Sequence, residues 1–161
     1  PRETILAFLR SRRNWLDGVV ISGGEPAGIP GLKDVCATIS ETGLPLKVDS
    51  NGLRPGVLHD LLDRDLVQKV AVDLKGPFAK YPELTGGRCT SRQAESAFAS
   101  LFETAGQFGT RVSFRCTRVP GLTGADIEAA TSCLPKTHDL VLQDYVPRRT
   151  EVSPASGRSD A

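Results

Sequence analysis

The sequence predicts an α/β fold with parallel strands, and two observations support that prediction. Hydrophobic periodicity alternates between the spacing of a helix and that of a strand, giving five helix–strand units. The predicted strands are short and rich in Val, Ile and Leu, and the helices between them are the connections that parallel strands require. At 161 residues the chain is about one domain long. We therefore expect one parallel α/β domain over residues 1–146, as a barrel or an open sheet.

The first half of the chain contains three of these units. A helix over residues 2–16 ends before Gly18, and Val19–Ile21 has the continuous β-branched pattern of a strand covered on both faces. The second helix has an apolar face that includes Val35, and it ends at Gly43. The other predicted elements of this half are a strand over 45–49, a helix opened by Pro55 and a strand over 67–74.

The second half begins with the longest predicted helix. Thr90 and Gln93 have the spacing of a capping box, in which each side chain accepts a hydrogen bond from the other residue's backbone. Gly106 lies where this helix is expected to end. The polar, proline-containing residues 147–161 are predicted to form a disordered tail. Between the longest helix and this tail we predict a strand over 111–119, a helix over 126–134 and a last strand over 139–146.

Charge and hydropathy argue against two classes of partner. Twenty Lys and Arg against 19 Asp and Glu leave a net charge of +1, which favours neither nucleic acid nor an anionic membrane. No apolar run approaches the roughly 20 residues that span a bilayer, and the first residues lack the apolar core of a secretory signal. We therefore expect a cytoplasmic protein.

The start of the chain and its cysteines carry two further expectations. The sequence contains no methionine and begins with Pro1, and its first helix lacks the strand that normally precedes it in a parallel α/β unit. We expect a first strand to lie upstream in a longer protein. The four cysteines form no CxxC pair and are predicted to be buried thiols; they are Cys36, Cys89, Cys116 and Cys133.

Polar residues gather where the predicted strands end, which is the ligand-binding edge of parallel α/β folds. Side chains two residues apart on a strand share a face, so Asp73 and Lys75 should point the same way. They could simply pair with each other. Glu25, beside a glycine turn, could accept a hydrogen bond from an ammonium group. The carboxylates, amide and lysine at the other strand ends could contact a ribose, a bound cation or a carboxylate, so together these residues suit an amino-acid-bearing nucleoside. The strand-end segments are Ser22–Pro26, Asp49–Gly52, Asp73–Lys75, Arg115–Thr117 and Gln143–Asp144.

Four segments resemble, in order, successive motifs of the radical S-adenosylmethionine (SAM) superfamily. They read VVISGGEP, VDSNGLRP, VAVDLKGP and FRCTRVPGL. Within the superfamily the sequence is especially similar to activating enzymes of glycyl radical enzymes, above all the activating proteins of anaerobic ribonucleotide reductase. The resemblance covers about residues 1–146. It implies a partial (β/α)6 radical SAM barrel whose first strand and cluster loop are missing from this chain.

The resemblance also implies a SAM-binding set drawn from all five strand ends. In the family, GGEP holds the SAM amino group, and the D-[ST]-N-G and D-x-K motifs lie against SAM. In some of these enzymes two aspartates, here Asp49 and Asp73, help to hold a monovalent cation beside the SAM carboxylate. The implied SAM-binding residues are Gly23, Gly24, Glu25, Pro26, Asp49, Ser50, Asn51, Asp73, Lys75, Arg115 and Gln143.

One defining motif of the superfamily is absent from this sequence. The C-x3-C-x2-C loop binds a [4Fe-4S] cluster, and in relatives it lies upstream of the helix that matches residues 2–16. The resemblance therefore implies that the cluster belongs to a full-length parent, and we expect no reductive SAM cleavage by the chain as given. For that parent it implies a glycyl radical enzyme as partner, namely anaerobic ribonucleotide reductase, and a flavodoxin- or ferredoxin-like reductant.

Three alternatives remain open at this point. The parent could be a radical SAM enzyme that acts on a small molecule, such as a deazaguanine precursor. The chain could be a non-catalytic remnant that binds SAM weakly or not at all. Lys75 could instead form a Schiff base with a carbonyl substrate, with Asp73 as its proton-transfer partner.

Overall fold

Five parallel strands form one sheet in the computed structural model, which describes residues 2–147. Each strand pairs with the next one in sequence, so the prediction of a parallel α/β fold is confirmed. Of the predicted tail, all but Pro147 lies outside the described residues. The strands are β1 (Val19–Ile21), β2 (Leu46–Ser50), β3 (Lys69–Asp73), β4 (Val112–Arg118) and β5 (Leu140–Asp144).

Helices connect the strands, and right-handed crossovers between sequential parallel strands place them on one face of the sheet. The longest helix spans 18 residues and begins at the predicted capping box of Thr90 and Gln93. In the described part of the chain no helix combines the length and apolarity needed to cross a bilayer. The helices are α1 (Arg2–Ser11), α2 (Leu32–Ser40), α3 (Pro55–Asp63), α4 (Tyr81–Leu84), α5 (Ser91–Phe108) and α6 (Gly124–Ser132).

The core lies between the helices and one face of the sheet. Alternate residues of β2, β3 and β4, such as Val48, Val72 and Phe114, are fully buried against it. Phe98 of α5 and Tyr81 of α4 are the large aromatic side chains at its centre, with ring centroids 5.9 Å apart. The intervening strand residues point to the opposite face, which is where the polar side chains of the strands gather.

Several helix boundaries differ from the prediction. The first helix ends at Ser11 instead of 16, because the polar residues 12–14 offer no apolar side chain to bury. Gly106 lies inside α5, which continues to Phe108 because that ring packs against the core. The last helix begins at Gly124, two residues early, because Thr123 forms a capping box that the sequence analysis did not identify.

Two predicted apolar positions are exposed. Val20 of β1 is 54% exposed, so the expectation of a strand covered on both faces is wrong for the residues described. Val35 of α2 is 48% exposed and points away from the apolar face of that helix. Val20 is exposed because the helices cover only one face of the sheet and its side chain lies on the other. Val35 is exposed because only one side of α2 meets the core.

Candidate functional site

The carboxyl ends of β1 to β4 open onto a cavity of about 450 Å³. This volume lies within the range typical of small-molecule sites. Of the eleven residues for which the resemblance implies SAM binding, all but Pro26 and Gln143 line it, together with Ser22 and Arg88. The structure therefore brings together residues from four segments that are far apart in sequence.

Pro26 and Gln143 lie elsewhere. Pro26 is buried and begins a short 3-10 turn that Glu25 caps, so it shapes the segment without lining the cavity. Gln143 is exposed on β5, opposite Thr117 in the strand register. Thr117 lines a smaller neighbouring cavity of about 110 Å³ beside Lys75.

The turn after β1 depends on two glycines. Gly23 and Gly24 have φ angles of 89° and 57°, a region that side chains with a Cβ rarely adopt. No atom lies within 4 Å of where a Cβ would be at either position. The turn therefore brings its backbone to the cavity with no side chain at these two positions.

Glu25 connects this turn to the end of β2. Its Oε1 accepts hydrogen bonds from the Ser50 hydroxyl at 2.7 Å and from the Ala27 N–H at 3.1 Å. Its Oε2 accepts one from the Asn51 N–H at 2.6 Å. A carboxylate offers about four acceptor positions, so the described residues occupy three of them and leave one for a ligand.

The residues after β2 are held by their own side chains. The Ser50 hydroxyl accepts a hydrogen bond from the Gly52 N–H at 3.1 Å while it donates to Glu25. Asn51 Oδ1 accepts one from the Leu53 N–H at 2.9 Å. Among the contacts of residues 2–147, the amide NH2 group of Asn51 is therefore left to donate to a ligand.

Charged side chains form a chain across β2, β3 and β4. Arg115 Nε donates to Asp73 Oδ1, and Arg115 Nη1 donates to Asp49 Oδ2 at 3.0 Å. Lys47 Nζ lies 3.1 Å from the other oxygen of Asp49. Asp73 and Arg115 are direct neighbours in the strand register, which explains their contact. The alternative that Asp73 pairs with Lys75 is therefore wrong, because Asp73 pairs with Arg115.

These contacts keep Asp49 and Arg115 ionised. Burial raises the pKa of Asp49, but the contacts with Lys47 and Arg115 outweigh burial and hold the pKa below its ordinary value. The hydrogen bond to Asp73 is the main reason that the pKa of Arg115 is raised further, and Asp49 adds to it. Asp49 and Arg115 are therefore fixed charges of the cavity wall at neutral pH.

Lys75 has a different environment. Its backbone N–H donates to the hydroxyl of Tyr81 at 3.2 Å, and Tyr81 is almost completely buried, which raises the pKa of its phenol. Among residues 2–147, the Lys75 ammonium makes no salt bridge. It lines the cavity and is free to meet an anionic group of a ligand.

Arg88 is the cavity residue that the sequence analysis missed. It is exposed and follows Gly86 and Gly87, whose φ angles are 60° and 78°. The glycine pair after α4 was the sequence feature that could have indicated a cavity residue here, because two adjacent glycines allow a sharp turn just before Arg88. Arg88 also borders a cavity of about 700 Å³ between the N-terminal turns of α3 and α5.

The cysteines do not form a metal centre. No three His, Cys, Asp or Glu side chains within residues 2–147 lie close enough together to hold a metal ion. Cys36, Cys89 and Cys116 are buried, and burial raises their pKa values, to about 11 for Cys36. Cys133 is exposed, so the prediction that it is buried is wrong. The described residues therefore do not fit a [4Fe-4S] cluster, whose ligands are clustered thiolates.

Known proteins similar to this chain were found by sequence and by structure. No family model matches it. It is 28% identical over 136 residues to "Putative glycyl-radical enzyme activating enzyme MJ1227" of Methanocaldococcus jannaschii, covering 83% of this chain and 57% of that protein. A structure of TYW1 with a lysine-pyruvate adduct bound matches with a TM-score of 0.56 and 19% identity, over 93% of this chain and 55% of TYW1. A crystal structure of archaeal TYW1 matches with a TM-score of 0.51 and 19% identity, over 81% of this chain and 50% of the archaeal TYW1 chain.

These similarities bear on fold and on superfamily. The two structures confirm the fold class, a parallel α/β sheet like that of TYW1. The sequence similarity to a glycyl-radical enzyme activating enzyme supports the radical SAM superfamily, without selecting a family within it. The chain spans about half the length of the proteins it matches.

Proposed function

We propose that this chain is the SAM-binding part of a radical SAM activating enzyme. In the cytoplasm, the complete protein would generate a glycyl radical on anaerobic ribonucleotide reductase, with electrons from a flavodoxin- or ferredoxin-like protein. The observation that supports this proposal best is the convergence of the GGE, DSN and D-x-K segments on one cavity. The name of the Methanocaldococcus jannaschii relative, a glycyl-radical enzyme activating enzyme, agrees with it.

Each part of the cavity has a role in binding SAM. The free acceptor position of Glu25 and the open backbone of Gly23 and Gly24 suit the amino group. The Lys75 ammonium, which makes no salt bridge within residues 2–147, suits the carboxylate, and the amide NH2 of Asn51 can donate to the ribose. In activases of this superfamily, SAM supplies the 5'-deoxyadenosyl radical that removes a hydrogen atom from a glycine of the partner.

Titration calorimetry of SAM into the full chain tests the binding step. We expect Lys75→Ala to weaken SAM binding about 10-fold, because a charge-assisted hydrogen bond contributes about 1.5 kcal/mol or more. The matched control is Lys136→Ala, which removes the same side chain from an exposed position outside the cavity. Equal affinities of the two variants, or no SAM binding by the unaltered chain, would contradict the proposal.

A second experiment tests the partner. The full-length parent should produce a glycyl radical on anaerobic ribonucleotide reductase, seen by electron paramagnetic resonance after incubation with SAM and a reductant. Cleavage of SAM without a radical on the reductase would favour a radical SAM enzyme that acts on a small molecule.

A second candidate function concerns Lys75 as a nucleophile. Its side chain lines the cavity without an acidic partner among the described residues, and one TYW1 structure of similar fold contains a lysine-pyruvate adduct. The amine would condense with a keto carbon and release water, and borohydride would reduce the C=N bond to a stable secondary amine. Mass spectrometry after treatment with pyruvate and borohydride should then find the adduct on Lys75, and Lys75→Arg should abolish it.

A further inference from the structure

Arg115 lies between the two aspartates for which the resemblance implies a monovalent cation. Its Nε donates to Asp73 Oδ1, and its Nη1 donates to Asp49 Oδ2 at 3.0 Å. Lys47 Nζ is 3.1 Å from Asp49 Oδ1. Three of the four carboxylate oxygens therefore already lie close to a cationic side chain, although Asp49 Oδ1 accepts no hydrogen bond among the described residues and is held by the charge of Lys47 alone.

The charges of this group cancel. Asp49 and Asp73 contribute two negative charges, and Lys47 and Arg115 contribute two positive charges. A bound Na⁺ or K⁺ would share its oxygen ligands with a guanidinium and an ammonium group, and both would repel it. The residues present therefore do not fit a monovalent metal ion.

The strand register holds Arg115 in this position. Asp73 and Arg115 are paired neighbours on β3 and β4, and the Arg115 side chain is only 20% exposed. A guanidinium stays protonated at any physiological pH and does not exchange with solvent as a metal ion does. A covalently attached cation is thus permanently located between the two carboxylates.

We propose that the Arg115 guanidinium takes the place of a monovalent cation in this cavity, so that the protein neither binds nor requires Na⁺ or K⁺ there. The contacts among Lys47, Asp49, Asp73 and Arg115 carry this inference in the ligand-free protein. Only the consequence that SAM binding should not require Na⁺ or K⁺ rests on the proposed function.

Thermal unfolding of the full chain without SAM tests the inference directly. The unfolding midpoint should be the same in KCl, NaCl and choline chloride at equal ionic strength. A saturable rise of the midpoint with K⁺ or Na⁺ over choline would show that the unaltered protein binds the ion, and would overturn the inference.

Two variants extend this test. Arg115→Gln removes the fixed charge, and its midpoint should rise by about 3 °C in KCl or NaCl over choline, as expected for a nearly saturated site. Arg118→Gln, on the same strand but 51% exposed and paired with Asp144, is the matched control and should show no cation effect. A folded Arg115→Gln that responds to neither ion would overturn the inference.

A third variant covers the possibility that Arg115→Gln does not fold. Arg115→Lys keeps a positive charge and should remain insensitive to the cation, whereas a cation-dependent midpoint would contradict the proposal. SAM titrations in the three salts separate this inference from the proposed function. No SAM binding in any salt contradicts the proposed function alone, and binding by the unaltered chain only with K⁺ or Na⁺ contradicts the inference alone.

Discussion

The backbone N–H of Asn51 donates a hydrogen bond to Oε2 of Glu25 at 2.6 Å, which joins the turn after β1 to the end of β2. The Ser50 hydroxyl reinforces this connection through the other carboxylate oxygen. Glu25 therefore organises the cavity wall before any ligand arrives, because one side chain holds two loops together.

Replacing Glu25 should therefore destabilise the protein. Glu25→Ala removes the acceptor of three hydrogen bonds, and we expect the free energy of unfolding to fall by about 2 kcal/mol. Urea unfolding followed by circular dichroism measures the loss. Glu95→Ala, on an exposed position of α5, is the matched control and should change stability little. Equal stability of the two variants would show that the Glu25 contacts contribute nothing net.

Gly52 should not tolerate a side chain. Its φ angle is 79°, and an added Cβ would lie 2.8 Å from atoms of both Leu101 and Val72. Gly52→Ala combines backbone strain with overpacking and should cost about 3 kcal/mol. Gly86→Ala separates the two effects, because Gly86 has a φ of 60° but open space around it, so only strain of about 1 kcal/mol is expected. Similar urea midpoints for the two variants would contradict the packing argument.

Asp126 should make stability depend on pH. The Lys80 ammonium, 2.7 Å from Asp126 Oδ2, and the capping hydrogen bonds from Thr123 lower the pKa of Asp126 from 3.8 to about 2. A lowered pKa stabilises the folded state above the ordinary pKa, and that stabilisation is lost as pH falls toward the folded value. Asp126→Asn should therefore be less stable than the unaltered chain at pH 5–7, and the difference should shrink as pH falls below about 4.

Urea midpoints measured across that pH range test the Asp126 prediction. Asp139→Asn, at an exposed position, is the control for removing one negative charge. A stability difference that stays constant as the pH falls would show that the ion pair with Lys80 is not the cause.

The cysteines should differ sharply in reactivity. Cys133 is exposed, whereas Cys36, Cys89 and Cys116 are buried and have raised pKa values. Because the thiolate is the reactive form, iodoacetamide should label one cysteine rapidly in the folded protein and all four in denaturant. Mass spectrometry counts the labels, and Cys133→Ser should remove the rapid one. Rapid labelling of a second cysteine in the folded chain would contradict this assignment.

Much of the fold follows from local patterns. The capping box of Thr90 and the first-turn proline of α3 were identified because each depends on residues within one helical turn. The carboxyl-terminal ends of α1, at Ser11, and of α5, at Phe108, were predicted less well, because they depend on which side chains meet the core. The capping box at Thr123 has Asp at its fourth position, where the usual pattern has Glu or Gln, and it was not identified.

The candidate site divides in the same way. The strand-end motifs identified the segments that meet, because parallel strands end at one edge of a sheet. They did not identify Arg88, which reaches the cavity from a loop, or the exposure of Gln143 on the edge strand. SAM binding by the residues that line the cavity remains a prediction that the titration tests.

The sequence by itself determined the alternation of helices and strands and the placement of polar residues at the strand ends, since hydrophobic periodicity and turn chemistry are properties of neighbouring residues. Only the tertiary structure decided which charges pair. Asp73 could have met Lys75 on its own strand, but the register of β3 and β4 places Arg115 beside it. That choice depends on contacts between residues 42 positions apart, which no local pattern contains.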